Sequence, residues 1–264
     1  MNRIFTLLLL VCFWTNPVLA QETLMVAGTG ENQEVVRALA KKFEELHSGV
    51  TVEVPDSIGS GGGIKALLKG KTDLARTGRP LKDSEKSGLV EVKFGQTPVV
   101  FATHPTVTTV DNLTTAQILD IFSGKINNWK EVGGPDNKIY PTSREVGDSA
   151  RIVLEALMPG FKDLQFVSKE FFTSAEAVQA LADHEFTIGY VSMASSRGKK
   201  VTVLKVDGKS PVVGVDGRVD YPYLVPFYLV HNEKPSVLAT QFIDFVLSSE
   251  GRAILLANGA VPVN

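Results

Sequence analysis

The chain has 264 residues, a formal net charge of −2 at neutral pH and an apolar content of 44%. This charge balance argues against nucleic acid or an anionic membrane as a partner, and the apolar content is sufficient for an ordinary buried core. The one cysteine, Cys12, lies near the amino terminus, so the rest of the chain has no disulfide or thiolate chemistry.

The first 20 residues, MNRIFTLLLLVCFWTNPVLA, predict a cleavable secretory signal peptide at residues 1–20. A basic residue is followed by an apolar run that closes on small residues, and this run is shorter than the roughly 20 residues that a spanning helix needs. Val11 precedes Cys12 where a lipoprotein signal carries a small residue, which disfavours lipidation. The sequence therefore predicts an exported protein, with no membrane span in the mature chain.

After the signal, strands and helices alternate, which favours the α/β class of fold. A short apolar strand is followed by a helix with apolar residues at helical spacing, a second strand, a glycine-rich loop with a short helix, and a third strand. In chain order these are TLMVAG, NQEVVRALAKKFEELHSG, VTVEVP, SIGSGGG with IKALLKG, and TDLART.

A second series of elements begins near Thr114, whose side chain can cap a helix. In order, a helix, a strand, two helices and two strands are predicted at TTAQILDIFSG, KIYPTS, DSARIVLEALM, TSAEAVQALADH, TIGYVSM and VTVLKV. The tail, PSVLATQFIDFVLSSEGRAILLANG, predicts an amphipathic helix with a break at Gly251. Extended segments at 97–103 and 225–230 are predicted to carry the chain between two lobes.

Polar residues precede three of the predicted helices, where free backbone N–H groups and the helix dipole favour an anion. The candidate caps are Asn32, Ser60 and either Asp148 or Ser149. Arg144 and Arg79 each lie beside one of these positions, and a guanidinium group matches the geometry of an oxyanion. Each residue also has a purely structural explanation, because a cap can serve only its helix and Arg144 can pair with Glu145 or Glu155. The pattern as a whole favours a small oxyanion as ligand.

The familiar enzyme and metal motifs are incomplete in this sequence. The GKT at 70–72 has Lys65 where a P-loop requires glycine, and no G-x-S-x-G elbow surrounds Ser60. The four histidines are scattered without the spacing of metal ligands. The sequence thus predicts no catalytic residue, no cofactor and no metal site, which disfavours a hydrolase or transferase acting on phosphate esters.

Four stretches that span nearly the whole chain after the signal carry a family resemblance. They are GSGGGIKALLKGKTDLARTGRPL, LTTAQILDIFSGKINNWKEVGGPDNKIYPTSREVGDSAR, TIGYVSM and YPYLVPFYLVHNEKPSVLATQFIDFVLSSEGRAILLANGAVP. In these stretches the chain resembles the periplasmic phosphate-binding proteins of phosphate-specific (Pst-type) ABC importers, within the type II periplasmic binding protein superfamily.

The resemblance implies a two-lobed α/β fold that closes over its ligand, with a central mixed sheet in each lobe and a hinge between the lobes. Residues 21–98 with 226–264 would form the first lobe, and residues 99–225 the second. Inorganic phosphate or a related oxyanion is the implied ligand and an ABC permease the implied partner. We expect a monomer that performs no chemistry.

In this family, phosphate is held by a helix start and an acid in the first lobe, by a Gly-Ser loop, and by an Arg-x-x-Gly-Ser-Gly-Thr motif in the second lobe. The matching positions are Asn32 and Gln33 at the helix start, Ser60 and Gly61 in the Gly-Ser loop, Gly78 and Arg79 at the acid, and Arg144, Gly147, Asp148, Ser149 and Ala150 in the motif. The resemblance implies that these residues form the ligand site.

Two of these positions depart from the family pattern. Gly78 stands where some members carry the acid, and Asp-Ser-Ala at 148–150 replaces Ser-Gly-Thr. We hypothesise that Asp148 accepts the hydrogen of protonated phosphate from the opposite lobe, with Arg79 adding positive charge. The rival interpretation is that Asp148 only caps its helix and points away from the pocket.

The altered motif also keeps a second function open. A family member with a changed pocket can act as a sensor or as an adhesion or matrix protein, or it can bind another anion. The sequence further leaves open whether Glu31, close to the first helix start, faces the cleft and opposes an anion or faces solvent.

Overall fold

The computed structural model describes residues 21–214 and 216–263, so the predicted signal peptide lies outside the described residues. The strands are β1 (Glu22–Gly28), β2 (Val50–Glu53), β3 (Leu74–Thr77), β4 (Leu89–Thr103), β5 (Asn112–Leu113), β6 (Tyr140–Arg144), β7 (Lys169–Phe171), β8 (Thr187–Ser192), β9 (Thr202–Val203), β10 (Lys205–Val206), β11 (Leu224–Asn232) and β12 (Val261–Pro262). The helices are α1 (Gln33–Leu46), α2 (Gly59–Leu68), α3 (Thr115–Phe122), α4 (Ser149–Leu157), α5 (Ser174–Asp183), α6 (Met193–Ser196), α7 (Val237–Leu247) and α8 (Ser249–Ala257).

Most strands join one mixed sheet in the order β2-β1-β3-β11-β4-β8-β6-β7, with β9 and β12 also paired to β4. Strand β1 runs parallel to β2 and β3, whereas β11 runs antiparallel to β3 and β4. Helix α2 packs on β1 and β3, and α5 packs on β8. The predicted α/β class with a central mixed sheet is confirmed.

Strand β4 is the longest in the described chain, with 15 residues, and it changes partners along its length. Residues 89–98 pair with β11, and residues 99–103 pair with β8. We call β1 to β3, β11, β12 and residues 89–98 of β4 the first half of the sheet, and residues 99–103 of β4 with β6 to β9 the second half. One uninterrupted strand therefore takes part in both halves.

The glycine-rich run that was predicted as a loop is the start of α2, so that prediction was wrong. The helix begins at Gly59 after Ile58, which places Ser60 in its first turn rather than at its cap. A Cβ on Gly63 would lie 2.8 Å from the Cα of Gly28, so glycine lets α2 approach β1 closely. Glycine is a poor helix former by itself, and close packing against the sheet overrides that preference here.

The C-terminal helix is interrupted at Ser248 and not at Gly251, which corrects the predicted position. Ser248 ends α7 and caps α8, and its Oγ accepts a hydrogen bond from the N–H of Gly251 at 3.2 Å. Gly251 lies in the first turn of α8, where a Cβ would overlap the carbonyl oxygen of Val246. A serine that caps the second helix thus sets the break, and the glycine permits the tight corner.

The predicted strand VTVLKV divides into two short strands in different sheets. β9 pairs with β4 in the large sheet, whereas β10 pairs in parallel with β5 in a separate two-stranded sheet. The intervening Leu204 is fully buried, and its N–H donates to the carbonyl oxygen of Phe101. The chain therefore crosses from one sheet to the other at this leucine.

Candidate functional site

A buried cluster of charged side chains lies between the two halves of the sheet. The guanidinium group of Arg144 pairs with the carboxylate of Glu31 at 3.3 Å and with that of Asp148 at 2.9 Å. Glu31 follows β1 in the first half, whereas Arg144 ends β6 in the second half and Asp148 follows it. All three side chains are nearly inaccessible to solvent, with at most 5% of each exposed. We call these residues, together with Ser174, the Arg144 cluster.

Local structure positions Arg144 and Asp148 in the second half. Arg144 is the last residue of β6, and its backbone N–H donates to the Tyr190 hydroxyl at 3.0 Å. Gly147 then takes a left-handed φ of 92°, which turns the chain so that Asp148 can cap α4. The Oδ1 atom of Asp148 accepts from the N–H groups of Ala150 and Arg151, each at 3.1 Å. The predicted cap is confirmed, and its Oδ2 atom faces Arg144.

Every nitrogen of the Arg144 guanidinium group already has a partner in the chain. Nε donates to the carbonyl oxygen of Phe171, and Nη1 donates to Glu31 Oε1 and to Ser174 Oγ. Nη2 donates to the carbonyl oxygen of Phe172 and pairs with Asp148. An oxyanion that binds Arg144 must therefore replace one of these groups, and Glu31 is the one contributed by the first half.

The carboxylate of Glu31 is only partly satisfied. Its Oε1 atom accepts from Ser174 Oγ at 2.8 Å and from Arg144, whereas Oε2 is buried without a hydrogen-bond partner among the described residues. The neighbouring Asn32 donates its amide to the carbonyl oxygen of Thr77 at 3.2 Å, and its Oδ1 atom is also buried and unpaired in the described chain. Asn32 occupies the cap position of α1 without capping it through its side chain. The turn before α1 thus holds two acceptors that lack donors.

Two serines meet across the same boundary. Ser60 Oγ lies 3.2 Å from Ser149 Oγ, and Ser60 Oγ also accepts from the N–H of Gly78 at 3.1 Å. A Cβ on Gly78 would lie 2.6 Å from both the Cβ and the Oγ of Ser149. Any side chain at this position, including the acid that the family resemblance implies, would therefore collide with Ser149 in this arrangement.

Arg76 supports the turn that carries Glu31. It is fully buried, and its guanidinium group donates to the carbonyl oxygens of Val26, Thr29 and Pro55 and to Gln33 Oε1. Burial is the main cause that lowers its pKa to about 10. Gln33, a predicted site residue, thus faces Arg76 and helps to fix the start of α1.

Comparison with known proteins identifies the family. A family model described as a PBP superfamily domain matches residues 17–250 of the chain. The chain belongs to the periplasmic binding protein (PBP) superfamily. The resemblance drawn from its sequence motifs is confirmed.

Similar proteins agree with this assignment. The structure of a substrate-binding protein of a phosphate ABC transporter from Clostridium perfringens, solved with bound phosphate, is 31% identical with a TM-score of 0.82 and covers 92% of this chain and 100% of that one. A phosphate transport receptor from Vibrio cholerae is 25% identical with a TM-score of 0.65, covering 90% and 99% of the two chains. The phosphate-binding protein PstS of Bacillus subtilis is 25% identical over 92% of this chain and 82% of its own length. All three proteins are named for phosphate binding or phosphate transport, and they agree with the PBP superfamily assignment of this chain.

The structure brings most of the predicted site residues of this PBP to the boundary between the two halves of the sheet, with Arg79 as the main exception. Arg79 forms a bidentate ion pair with Glu85, with N···O distances of 2.7 and 2.9 Å, and has no contact with Asp148. Gly61 lies in the first turn of α2 and is half-buried, while Gly147 is exposed in the turn before α4. The positive charge near Asp148 therefore comes from Arg144.

Ser174 and the orientation of Glu31 were not predicted from the sequence. Ser174 is the first residue of α5, and only tertiary contacts place its hydroxyl between Glu31 and Arg144. The structure also answers the open question about Glu31, which faces the cluster rather than solvent. The one available sequence signal was an acidic residue beside a predicted helix start. This signal is weak, because acidic side chains are seldom buried unless they have a partner.

A separate cavity of 1220 Å³ lies near the beginning of β6 and β8, away from the Arg144 cluster. Its lining includes Tyr140 and Thr187, where β6 and β8 begin, whereas Arg144 lies where β6 ends. Ligands of open α/β sheets bind beyond the carboxyl ends of the strands, which favours the Arg144 cluster as the site. Among the described residues, no group of three His, Cys, Asp or Glu side chains could hold a metal ion.

We expect the stability of this PBP to depend on the protonation of Asp148. Burial, followed by the nearby Glu31 carboxylate, raises the pKa of Asp148 to about 7, although Arg144 opposes the shift. In the unfolded chain the pKa of this carboxyl group is about 4, so the folded state binds the proton more tightly than the unfolded state does. Proton binding therefore adds to the free energy of unfolding at low pH, and this addition is lost as the pH rises from about 4 to about 7. Between pH 5 and pH 8, the free energy of unfolding should fall by about 2–3 kcal/mol less in the Asp148→Asn variant than in the parent. Urea denaturation at both pH values checks this, and parallel pH dependences would contradict it.

Proposed function

We propose that this protein captures an oxyanion, inorganic phosphate, in the cleft between two lobes and delivers it to an ABC permease. The observation that carries the proposal is the buried Arg144, whose guanidinium group pairs with Glu31 from the opposite half of the sheet at 3.3 Å. The relatives named above as phosphate-binding proteins and the phosphate-bound structure from Clostridium perfringens support the choice of ligand.

The proposed lobes are residues 21–98 with 226–264 and residues 99–225. The change of partner along β4 supports this division, because β11 pairs up to Pro98 and β8 pairs from Val99 onward. Residues 97–103 and 225–230 would then form the hinge, so that the lobes open and close about paired strands. Opening would separate Glu31 and Ser60 on one side from Arg144 and Ser149 on the other.

The donors for the ligand come from both lobes. The hydroxyl groups of Ser60 and Ser149 and the guanidinium group of Arg144 would bind the oxygens of phosphate. The first turns of α2 and α4, which include Gly61 and Ala150, add the positive ends of two helix dipoles. Neutral donors together with one guanidinium group suit a small oxyanion that loses its hydration water when the lobes close.

Export and location belong to the same proposal. A signal peptide at residues 1–20 would direct the chain to the periplasm, where a monomer would meet its permease. In residues 21–214 and 216–263, no helix is long and apolar enough to cross a membrane.

A second function is favoured by the electrostatics of the cluster. Two carboxylates, Glu31 and Asp148, face one guanidinium group, which opposes an added anion unless a carboxyl group is protonated or displaced. A protein that keeps the fold and binds little phosphate, and acts as a sensor or as an adhesion or matrix protein, is the alternative.

Calorimetric titration tests these alternatives. The protein is stripped of ligand by unfolding and refolding, and is then titrated with phosphate, arsenate, sulfate and molybdate. We expect saturable one-to-one binding of phosphate, at least about tenfold tighter than sulfate. If none of the four oxyanions binds, phosphate capture is overturned and the alternative stands.

A further inference from the structure

Several contacts between the two halves of the sheet converge on Glu31. Three groups of the second half donate hydrogen bonds to this one residue of the first half. Arg144 Nη1 and Ser174 Oγ donate to its carboxylate at 3.3 and 2.8 Å, and Ser192 Oγ donates to its carbonyl oxygen at 3.1 Å. The donors belong to β6, α5 and β8, so Glu31 joins the first half to three separate elements of the second.

The backbone approaches the second half this closely because the residue before Glu31 is a glycine. A Cβ on Gly30 would lie 2.9 Å from Ser174 Oγ and 3.3 Å from the Cβ of Ser57. The turn before α1 therefore lies against both the start of α5 and the segment before α2. A side chain at residue 30 would force these segments apart and draw the carboxylate of Glu31 away from Arg144.

The carboxylate of Glu31 takes up donors that an oxyanion would use. Arg144 Nη1 and Ser174 Oγ both donate to one atom, Glu31 Oε1. A carboxylate oxygen and a phosphate oxygen are similar acceptors for a guanidinium group and a hydroxyl, so the two compete for these donors. Glu31 has an advantage in this competition, because a group of the same chain is present at a high effective concentration.

The contact is incomplete, so a competing anion can replace it. Glu31 Oε2 is buried without a hydrogen-bond partner among the described residues. Burial of an unpaired charged acceptor costs free energy, and the nearby Asp148 carboxylate adds repulsion. Rotation of Glu31 away from Arg144 into solvent would remove that cost.

We propose that the Glu31 carboxylate is an internal latch, which holds the two halves of the sheet together through its donors in the second half and which the oxyanion must displace. This inference rests on the proposed function and specifies how the site is regulated. The start of α1 itself remains part of the site. Because only the unlatched fraction of the protein is competent to bind, the latch lowers the apparent affinity for phosphate.

The experiment measures the distance between the proposed lobes and the affinity for phosphate in the same variants at pH 8. Cys12, the one cysteine of the chain, lies in the predicted signal peptide, so introduced cysteines can carry spin labels specifically. Lys69→Cys and Lys162→Cys place the labels at exposed positions, one after α2 and one after α4. Electron spin resonance then gives the distribution of distances between the two labels, and calorimetry gives the affinity.

Three substitutions are made in this labelled protein. Glu31→Gln replaces the ion pair with a neutral contact of similar shape, and Glu31→Ala removes the contact. Asp148→Asn is the matched control, because it also removes a carboxylate partner of Arg144 but one that belongs to the same half. Asparagine also caps helices well, so the start of α4 is retained.

In the parent stripped of phosphate, the distance distribution should match that of the parent with phosphate bound. Both Glu31 variants should shift it to longer distances, and added phosphate should shift it back. Phosphate should bind Glu31→Gln at least about tenfold more tightly than the parent, because the variant loses both the competing group and an opposing charge. Asp148→Asn should keep the distance distribution of the parent.

Each contrary result has a separate meaning. If both Glu31 variants keep the distance distribution of the parent, or if phosphate binds the parent as tightly as Glu31→Gln, the latch is overturned while phosphate capture stands. If Asp148→Asn separates the labels as far as Glu31→Gln does, the charge of the cluster sets the distance and the latch is overturned. Phosphate binding to the Glu31 variants but not to the parent would support the latch and overturn phosphate capture by the parent. If none of these proteins binds phosphate, both proposals are overturned.

Discussion

Replacement of Arg144 by methionine is expected to weaken phosphate binding at least about 100-fold and to lower the free energy of unfolding at pH 8 by about 3–5 kcal/mol. Methionine removes the one guanidinium group of the cluster and leaves Glu31 and Asp148 as two buried carboxylates with no counter-ion. Calorimetry with phosphate and urea denaturation measure the two effects. The loss of stability should be smaller at pH 5, where Asp148 is protonated.

Two further variants separate charge from packing in this prediction. Glu31→Gln combined with Arg144→Met removes a second charge from the cluster, so it should recover part of the lost stability but none of the binding. Arg218→Met, at a side chain that is 90% exposed, is the matched control and should change neither quantity. Phosphate binding within about threefold of the parent in Arg144→Met would show that the ligand lies elsewhere.

Replacement of Arg76 by methionine is expected to lower the free energy of unfolding by about 2–4 kcal/mol, the net result of several unpaired acceptors. The guanidinium group bridges carbonyl oxygens of β1, the turn after it and the segment before α2, and methionine can donate to none of them. Since the same turn carries Glu31 and Asn32, phosphate affinity should fall as well. Urea denaturation and calorimetry check the two effects.

Arg37→Met provides the matched control, because Arg37 reaches the carbonyl oxygen of Val54 in the same segment but is only partly buried. Its loss should cost less than about 1 kcal/mol. If Arg37→Met and Arg76→Met lowered the free energy of unfolding equally, this would contradict the prediction that the buried Arg76 stabilises the segment more than Arg37 does.

The order of strands and helices was predictable because short-range patterns determine it. Apolar spacing located α1 and α4, and residue type alone predicted the caps Thr114 and Asp148. The glycine-rich start of α2 was missed because the contact of Gly63 with Gly28 is tertiary, and helix propensity does not contain it. The break at Ser248 was misplaced since glycine is a stronger sequence signal than a capping serine.

The site was predictable only as a set of positions. Arg144, Ser60 and Ser149 could be placed near one another through the family motif, and the structure brings them to the same boundary. Their partners could not be predicted, because Glu31 and Arg144 are 113 residues apart and meet only when the two halves pack together. The same limit applies to Arg79, whose adjacency to the motif position gave no hint of its ion pair with Glu85.

Strand β4 also limits how the length of this chain can change. Successive residues of a strand point to opposite faces, so a one-residue insertion or deletion in its middle would invert every side chain on one side of the change. Residues 89–98 pair with β11 and residues 99–103 pair with β8. Such an event would therefore turn the side chains of one half to the opposite face while those of the other half stayed in place. Surface loops can gain or lose residues freely, whereas this strand can change its length only where a bulge absorbs the extra residue, as between Lys93 and Gly95, where the register with β11 shifts.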